Sequence, residues 1–226
     1  MLSGAVVVSA AASLKEPFTT LAAQFEKAHP GTTVTLNFGG SDTLAAQITA
    51  GAAVDVFAAA STATMATVTN AGDALAPPVT FARNELEIAT PAGNAAGIAS
   101  LAGTTRPGTK LVLCATAVPC GAAASKAYAA ASLVPKPVSL EQDVKSVLTK
   151  VELKEADAGI VYQTDVKAAG AKVTGVRFAE AADAIATYPV VGVRTGKNAR
   201  GGAAFIAYVL SADGASVLRS AGFLRP

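Results

Sequence analysis

The stretch 6–18, VVVSAAASLKEPF, runs from an apolar strand directly into a helix, and a second stretch, 34–48, VTLNFGGSDTLAAQI, repeats the same turn. In the first, Leu14, Phe18, Leu21, Ala22 and Phe25 recur at helical spacing, and Ser13 with Glu16 has the form of a capping box, so the spacing predicts an amphipathic helix opening at Ser13. Pro17 falls in the first turn of that helix, where proline costs least. A helix start has N–H groups without intrahelical acceptors and carries the positive end of the macrodipole, so two such starts facing one ligand bind a small anion without a charged side chain. Ser13 and Ser41 are therefore candidate binding residues, although each also reads as an ordinary N-cap. Ala10, Ala11 and Ala12 before the first serine, and Gly39 and Gly40 before the second, leave space for a ligand to approach the backbone.

Outward from these turns, short apolar stretches alternate with helical ones, which predicts an α/β fold with mostly parallel strands. Strands are expected at 5–9, 33–38, 54–58, 85–90, 110–114, 158–162 and 188–193, and helices at 44–50, 61–70, 122–131 and 144–151. Two segments, APPVTFAR (76–83) and AIATYP (184–189), read as crossings between lobes. The expected division is a discontinuous first lobe, 1–81 with 187–226, and an inserted second lobe, 82–186. A cleft between two lobes joined in this way closes on a ligand by hinge bending.

Composition narrows the function. The 226 residues allow a large core, charged residues are 15%, the net charge is +2, aromatic residues are 5% and tryptophan is absent. There is no basic stripe or aromatic platform of the kind a nucleic-acid binder uses. The mean hydropathy of +0.43 comes largely from scattered alanine, and no apolar run approaches the roughly 18 residues of a membrane span. MLSGAVVVSA enters a strand at once without a signal-peptide pattern, so export is expected only if a leader or lipid-anchor segment lies outside this chain. Cys114 and Cys120, with five residues between them, suit either a disulfide or two buried thiols; without further cysteine or histidine nearby they cannot complete a zinc site.

Five motifs in order, VVVSAAASLKEPF, NFGGSDTLAAQI, GAAVDVFAAAS, DAGIVYQTD and AAFIAYVLSADGASVLRSAGF, resemble the molybdate-binding proteins of ABC-type molybdate importers over nearly the whole chain. The resemblance implies a type II periplasmic-binding-protein-like fold with two α/β lobes, a ligand cleft between them and two crossover segments. It implies binding of molybdate or tungstate for delivery to a transmembrane permease, with no other cofactor, by an exported, periplasmic or cell-envelope protein acting as a monomer. Residue by residue, it makes Ser13 and Ser41 hydroxyl and backbone donors, Tyr162 a phenolic donor, and Cys120 and Val144 backbone N–H donors. Molybdenum then enters only within the oxyanion, with no direct protein ligand. Two positions depart from the family pattern: Cys120 stands where alanine is frequent, and Asp42 where a small residue is common. On their own, Val144 and Cys120 read as core residues, and Tyr162 as a buried ring with a wet hydroxyl.

Neutral donors suit a fully deprotonated dianion, because hydrogen bonds to charged oxygens are stronger than neutral ones, whereas hydrogen phosphate would require an acceptor. Sulfate or another small anion remains the alternative ligand. A hydrolase is the remoter reading: His29, the single histidine, falls at the end of the first helix. GVRTGKN (192–198) lacks the spacing of a phosphate loop, so Arg194, Lys197 and Arg200 read as a solvated turn. Asp55 and Asp165 read as polar anchors at element ends.

Overall fold

Val6, Val7 and Val8 lie at the centre of the first strand, because β-branched side chains suit the pleated backbone. β1 (Gly4–Ala11) passes through a 3-10 turn (Ala12–Leu14) into α1 (Lys15–Ala28), followed by β2 (Thr32–Gly39), α2 (Ser41–Thr49), β3 (Val56–Ala58), α3 (Thr62–Asn70) and β4 (Val79–Asn84). Then come β5 (Leu86–Pro91), β6 (Leu111–Cys114), α4 (Pro119–Ala130), β7 (Ser139–Glu141), α5 (Val144–Glu152), β8 (Ala158–Tyr162), α6 (Gln163–Ala169) and β9 (Val173–Val176). The chain ends with β10 (Ala186–Gly192), α7 (Ala199–Val209) and α8 (Ala212–Ala221). The computed structural model describes residues 2–226, and the chain divides into two compact units. One runs through Arg83 and resumes over Thr187–Pro226; the other is Asn84–Ala186.

Each unit is built on one five-stranded sheet. In the first the order is β2-β1-β3-β10-β4, with β1 parallel to β2 and β3, and β10 antiparallel to β3. In the second the order is β7-β6-β8-β5-β9, with β6 parallel to β7 and β8, and β5 antiparallel to β8 and β9. The expectation of mostly parallel strands is corrected to mixed sheets: parallel pairing joins strands linked by helices, while β5 pairs antiparallel with β8 and β9, and β10 with β3. The expected strands omit β4, β7 and β9. The last two are three- and four-residue edge strands whose SLE and VTGV carry little apolar signal.

The predicted apolar face of α1 is the buried one: Phe18, Leu21, Ala22 and Phe25 all lie in the core. Phe25 meets Phe205 of α7 edge to face at 5.4 Å between centroids, and Phe18 meets Phe205 at 6.1 Å and Phe81 at 5.8 Å. Across the sheet, Leu44 and Ile48 of α2 pack with Phe57, Met65, Val68 and Val191. Among the described residues no single helix is long and apolar enough to cross a membrane; α7 and α8 reach that composition only as a pair bent by 63°. In the second unit, Gly159 lets α5 lie close on the sheet, since a Cβ there would stand 2.6 Å from Val147 Cγ1.

Phe25 is fully buried between α1 and α7, so Phe25→Ala leaves a cavity and is expected to lower unfolding free energy by about 3–5 kcal/mol. Urea denaturation of wild type and variant checks this, with an unchanged slope indicating an intact fold.

Candidate functional site

In the first unit the two serines stand just past the ends of neighbouring parallel strands. β1 and β2 are in register to Ala11↔Gly39, and Ser13 and Ser41 each follow that last pair by two residues. Both are buried, at 2% and 1% exposure. Neither acts as an N-cap. Leu14 caps α1 without a side-chain hydrogen bond, which corrects the expected capping box, because the 3-10 turn displaces the helix start to Lys15. The Ser13 hydroxyl instead meets the Tyr188 hydroxyl at 2.8 Å, a buried contact to β10. Gly40 caps α2, and Ser41 is its first residue. Its Oγ accepts the Ala60 N–H at 3.0 Å, which leaves the hydroxyl hydrogen to donate.

The second unit repeats the pattern on three adjacent parallel strands, β7, β6 and β8. Tyr162 is the last residue of β8 and 1% exposed. Val144 is the first residue of α5, three residues beyond the end of β7, and Asp143 caps that helix by accepting the Ser146 N–H at 3.0 Å. Cys120 is the second residue of α4. Pro119 ahead of it has no N–H, so the Cys120 amide is the first donor of the helix, and neither it nor the Val144 amide has an intrahelical acceptor. Cys120 is disulfide-bonded to Cys114, the last residue of β6, so the open choice between a disulfide and two thiols falls to the disulfide. The bond staples strand end to helix start. Gly121 completes the close turn, since a Cβ there would overlap the Ala115 carbonyl oxygen. Farther along α4, Tyr128 meets Thr104 Oγ1 at 2.7 Å. Burial pushes its pKa up to about 12 against the lowering effect of that hydrogen bond, so it stays a neutral anchor.

The two aspartates are anchors, as their positions suggested. Asp55 accepts the Val7 N–H at 2.8 Å and the Asn198 N–H at 2.6 Å, tying β1 to the turn before α7. Asp165, fully buried, accepts the Tyr162 N–H at 3.1 Å and pairs with Lys145 at 3.0 Å. Asp42 lies in the first turn of α2, where an acid complements the helix dipole; its Oδ1 is buried without a hydrogen-bond partner among the described residues. His29 caps the C-terminus of α1, with its ring 4.5 Å from that of Phe25. Tyr188 and Lys145 are the supporting groups that sequence reading missed. The local signal for Tyr188 was its place in a strand next to Pro189, and for Lys145 its place beside Val144. Among the described residues no three His, Cys, Asp or Glu side chains gather as a metal site.

In each unit, buried hydroxyls or first-turn amides at the ends of parallel strands of an α/β fold supply the donor types from which anions accept hydrogen bonds. The chain belongs to the bacterial extracellular solute-binding protein family, whose model matches residues 6–224. The molybdate-binding protein ModA of Mycobacterium tuberculosis strain H37Rv is 42% identical over 221 residues, covering 98% of this chain and 85% of that protein. The periplasmic molybdate-binding protein of Azotobacter vinelandii superposes with a TM-score of 0.86 at 20% identity, covering 98% of this chain and 99% of the other. The sulfate-binding protein SubI of M. tuberculosis superposes with a TM-score of 0.83 at 16% identity, covering 97% and 86%. At these identities the two superpositions speak to the fold alone.

Reducing the Cys114–Cys120 bond, or replacing both residues by serine, is expected to cost about 2 kcal/mol of stability for so short a loop. Thermal unfolding with and without a phosphine reductant measures it, and the double serine variant should show no response to reductant.

Proposed function

We propose that this chain binds molybdate and tungstate and delivers them to the transmembrane permease of an ABC importer. The observation that carries the reading is the 42% identity, over 98% of the chain, to a protein named as molybdate-binding. The donors are the hydroxyls of Ser13, Ser41 and Tyr162 and the backbone amides of Cys120 and Val144. None is a lysine or arginine. Hydroxyls and amides disperse a double negative charge over several charge-assisted hydrogen bonds, and a shell of donors alone disfavours hydrogen phosphate, whose proton needs an acceptor. The protein works as an exported monomer that carries its anion unchanged, with no catalytic step and no cofactor apart from that ligand. The disulfide supports an oxidising compartment. Sulfate offers the same charge and oxygen count to the same donors, so the experiment must include it.

Calorimetry with molybdate, tungstate, sulfate and phosphate tests the assignment. Tight, one-to-one binding of the first two is expected, and at a hundred times the dissociation constant the ligand adds about 2.7 kcal/mol, which raises the melting temperature by about 5–10 °C. No response to molybdate, or an equal response to phosphate, overturns the reading. Ser13→Ala and Ser41→Ala each remove a hydroxyl from a charged ligand and are expected to weaken molybdate binding by about 1.5–3 kcal/mol. Unaltered titrations for both would return the serines to purely structural roles.

A further inference from the structure

Resting on the oxyanion reading above, we propose that the Lys145–Asp165 ion pair sets the electrostatic balance of the donors in the second unit. Lys145 is the residue after Val144, in the first turn of α5, and Asp165 follows Tyr162 by three residues, in the first turn of α6. Lys145 Nζ lies 3.0 Å from Asp165 Oδ1, with the lysine side chain 20% exposed and the aspartate not at all. The other carboxylate oxygen accepts the Tyr162 N–H at 3.1 Å. One ion pair therefore ties together the two helix starts that carry two of the proposed donors.

The pair contributes a positive and a negative charge close together, and their sum beside the donors is zero. Asp165 cancels a lysine that would otherwise draw in any anion, and Lys145 cancels a buried carboxylate that would otherwise repel a dianion. Affinity then rests on directed hydrogen bonds, which depend on oxyanion shape and protonation, rather than on net charge, which does not. Within a few ångströms of a dianion a single uncompensated charge changes affinity by about tenfold or more, and added salt screens that effect.

The test is calorimetry with molybdate and sulfate at pH 8, in 20 mM and 500 mM sodium chloride, on wild type, Lys145→Met, Asp165→Asn and the double variant. Wild-type molybdate affinity is expected to be nearly independent of salt. Lys145→Met removes the cation 3.0 Å from the carboxylate and is expected to weaken both anions about tenfold at low salt, with recovery at high salt. Asp165→Asn keeps an oxygen to accept the Tyr162 N–H and is expected to strengthen both anions, with loss at high salt. The double variant, neutral again, should return toward wild-type salt independence. Opposite directions in the two single variants are the signature, since a purely structural pair would weaken binding in both and without salt dependence; that result overturns the proposal. Should Asp165→Asn fail to fold, the salt response of Lys145→Met decides alone, and a salt-independent loss counts against the proposal. If wild type binds molybdate and neither variant alters it, the pair has no such role while the oxyanion reading stands. If wild type binds neither anion, the reading itself falls and the proposal with it.

Discussion

Amides in the first turn of a helix have no carbonyl within their own helix to bond, and this chain sets such starts just past the ends of its parallel strands. β2 and β1 in one unit, and β7, β6 and β8 in the other, lead into α2, the turn before α1, α5, α4 and α6. The candidate donors all fall at these junctions. Much else serves to hold the junctions still: Ala60 bonds Ser41, Tyr188 bonds Ser13, the disulfide fixes α4, and Asp165 holds the backbone of Tyr162.

What could be read from the sequence follows from how local each feature is. The helical spacing of Phe18, Leu21 and Phe25 anticipated the buried face of α1, because periodicity within one element suffices to show it. The expected strand 158–162 has the bounds of β8, since AGIVY is apolar throughout and every residue of it is buried. That Ser13 and Ser41 lie at strand-to-helix turns is legible in the sequence, and their local bonding is not. Serine before a helical pattern suggests a cap, but the partners that determine its role, Tyr188 and Ala60, lie 175 and 19 residues away. Lys145 and Asp165 are separated by a whole strand, and no window short enough to read as a motif contains both. β7 and β9 escaped notice because short edge strands need little apolar patterning to pair.

The arrangement also explains how a site can be made with so few charges. Charged residues are 15% of the chain, and the buried aspartates Asp55, before β3, and Asp165, at the start of α6, are each occupied in holding backbone rather than directed at solvent. Burying a carboxylate is tolerable where N–H groups or a cation meet both of its oxygens, as at Asp55 and Asp165. Of the two, Asp165 holds a candidate donor residue, Tyr162, and directed hydrogen bonding of that kind depends on placement to within a fraction of an ångström.

The Cys114–Cys120 bond has a bearing on how the chain matures. The protein has two cysteines and both are in this bond, so oxidation has a single intramolecular product and no wrong pairing to undo. The partners are only six positions apart and need no distant segment to bring them together. A chain emerging in an unfolded state into an oxidising space could close this loop before either sheet is complete, without help from an isomerase, and would then fold around a helix start already fastened to its strand.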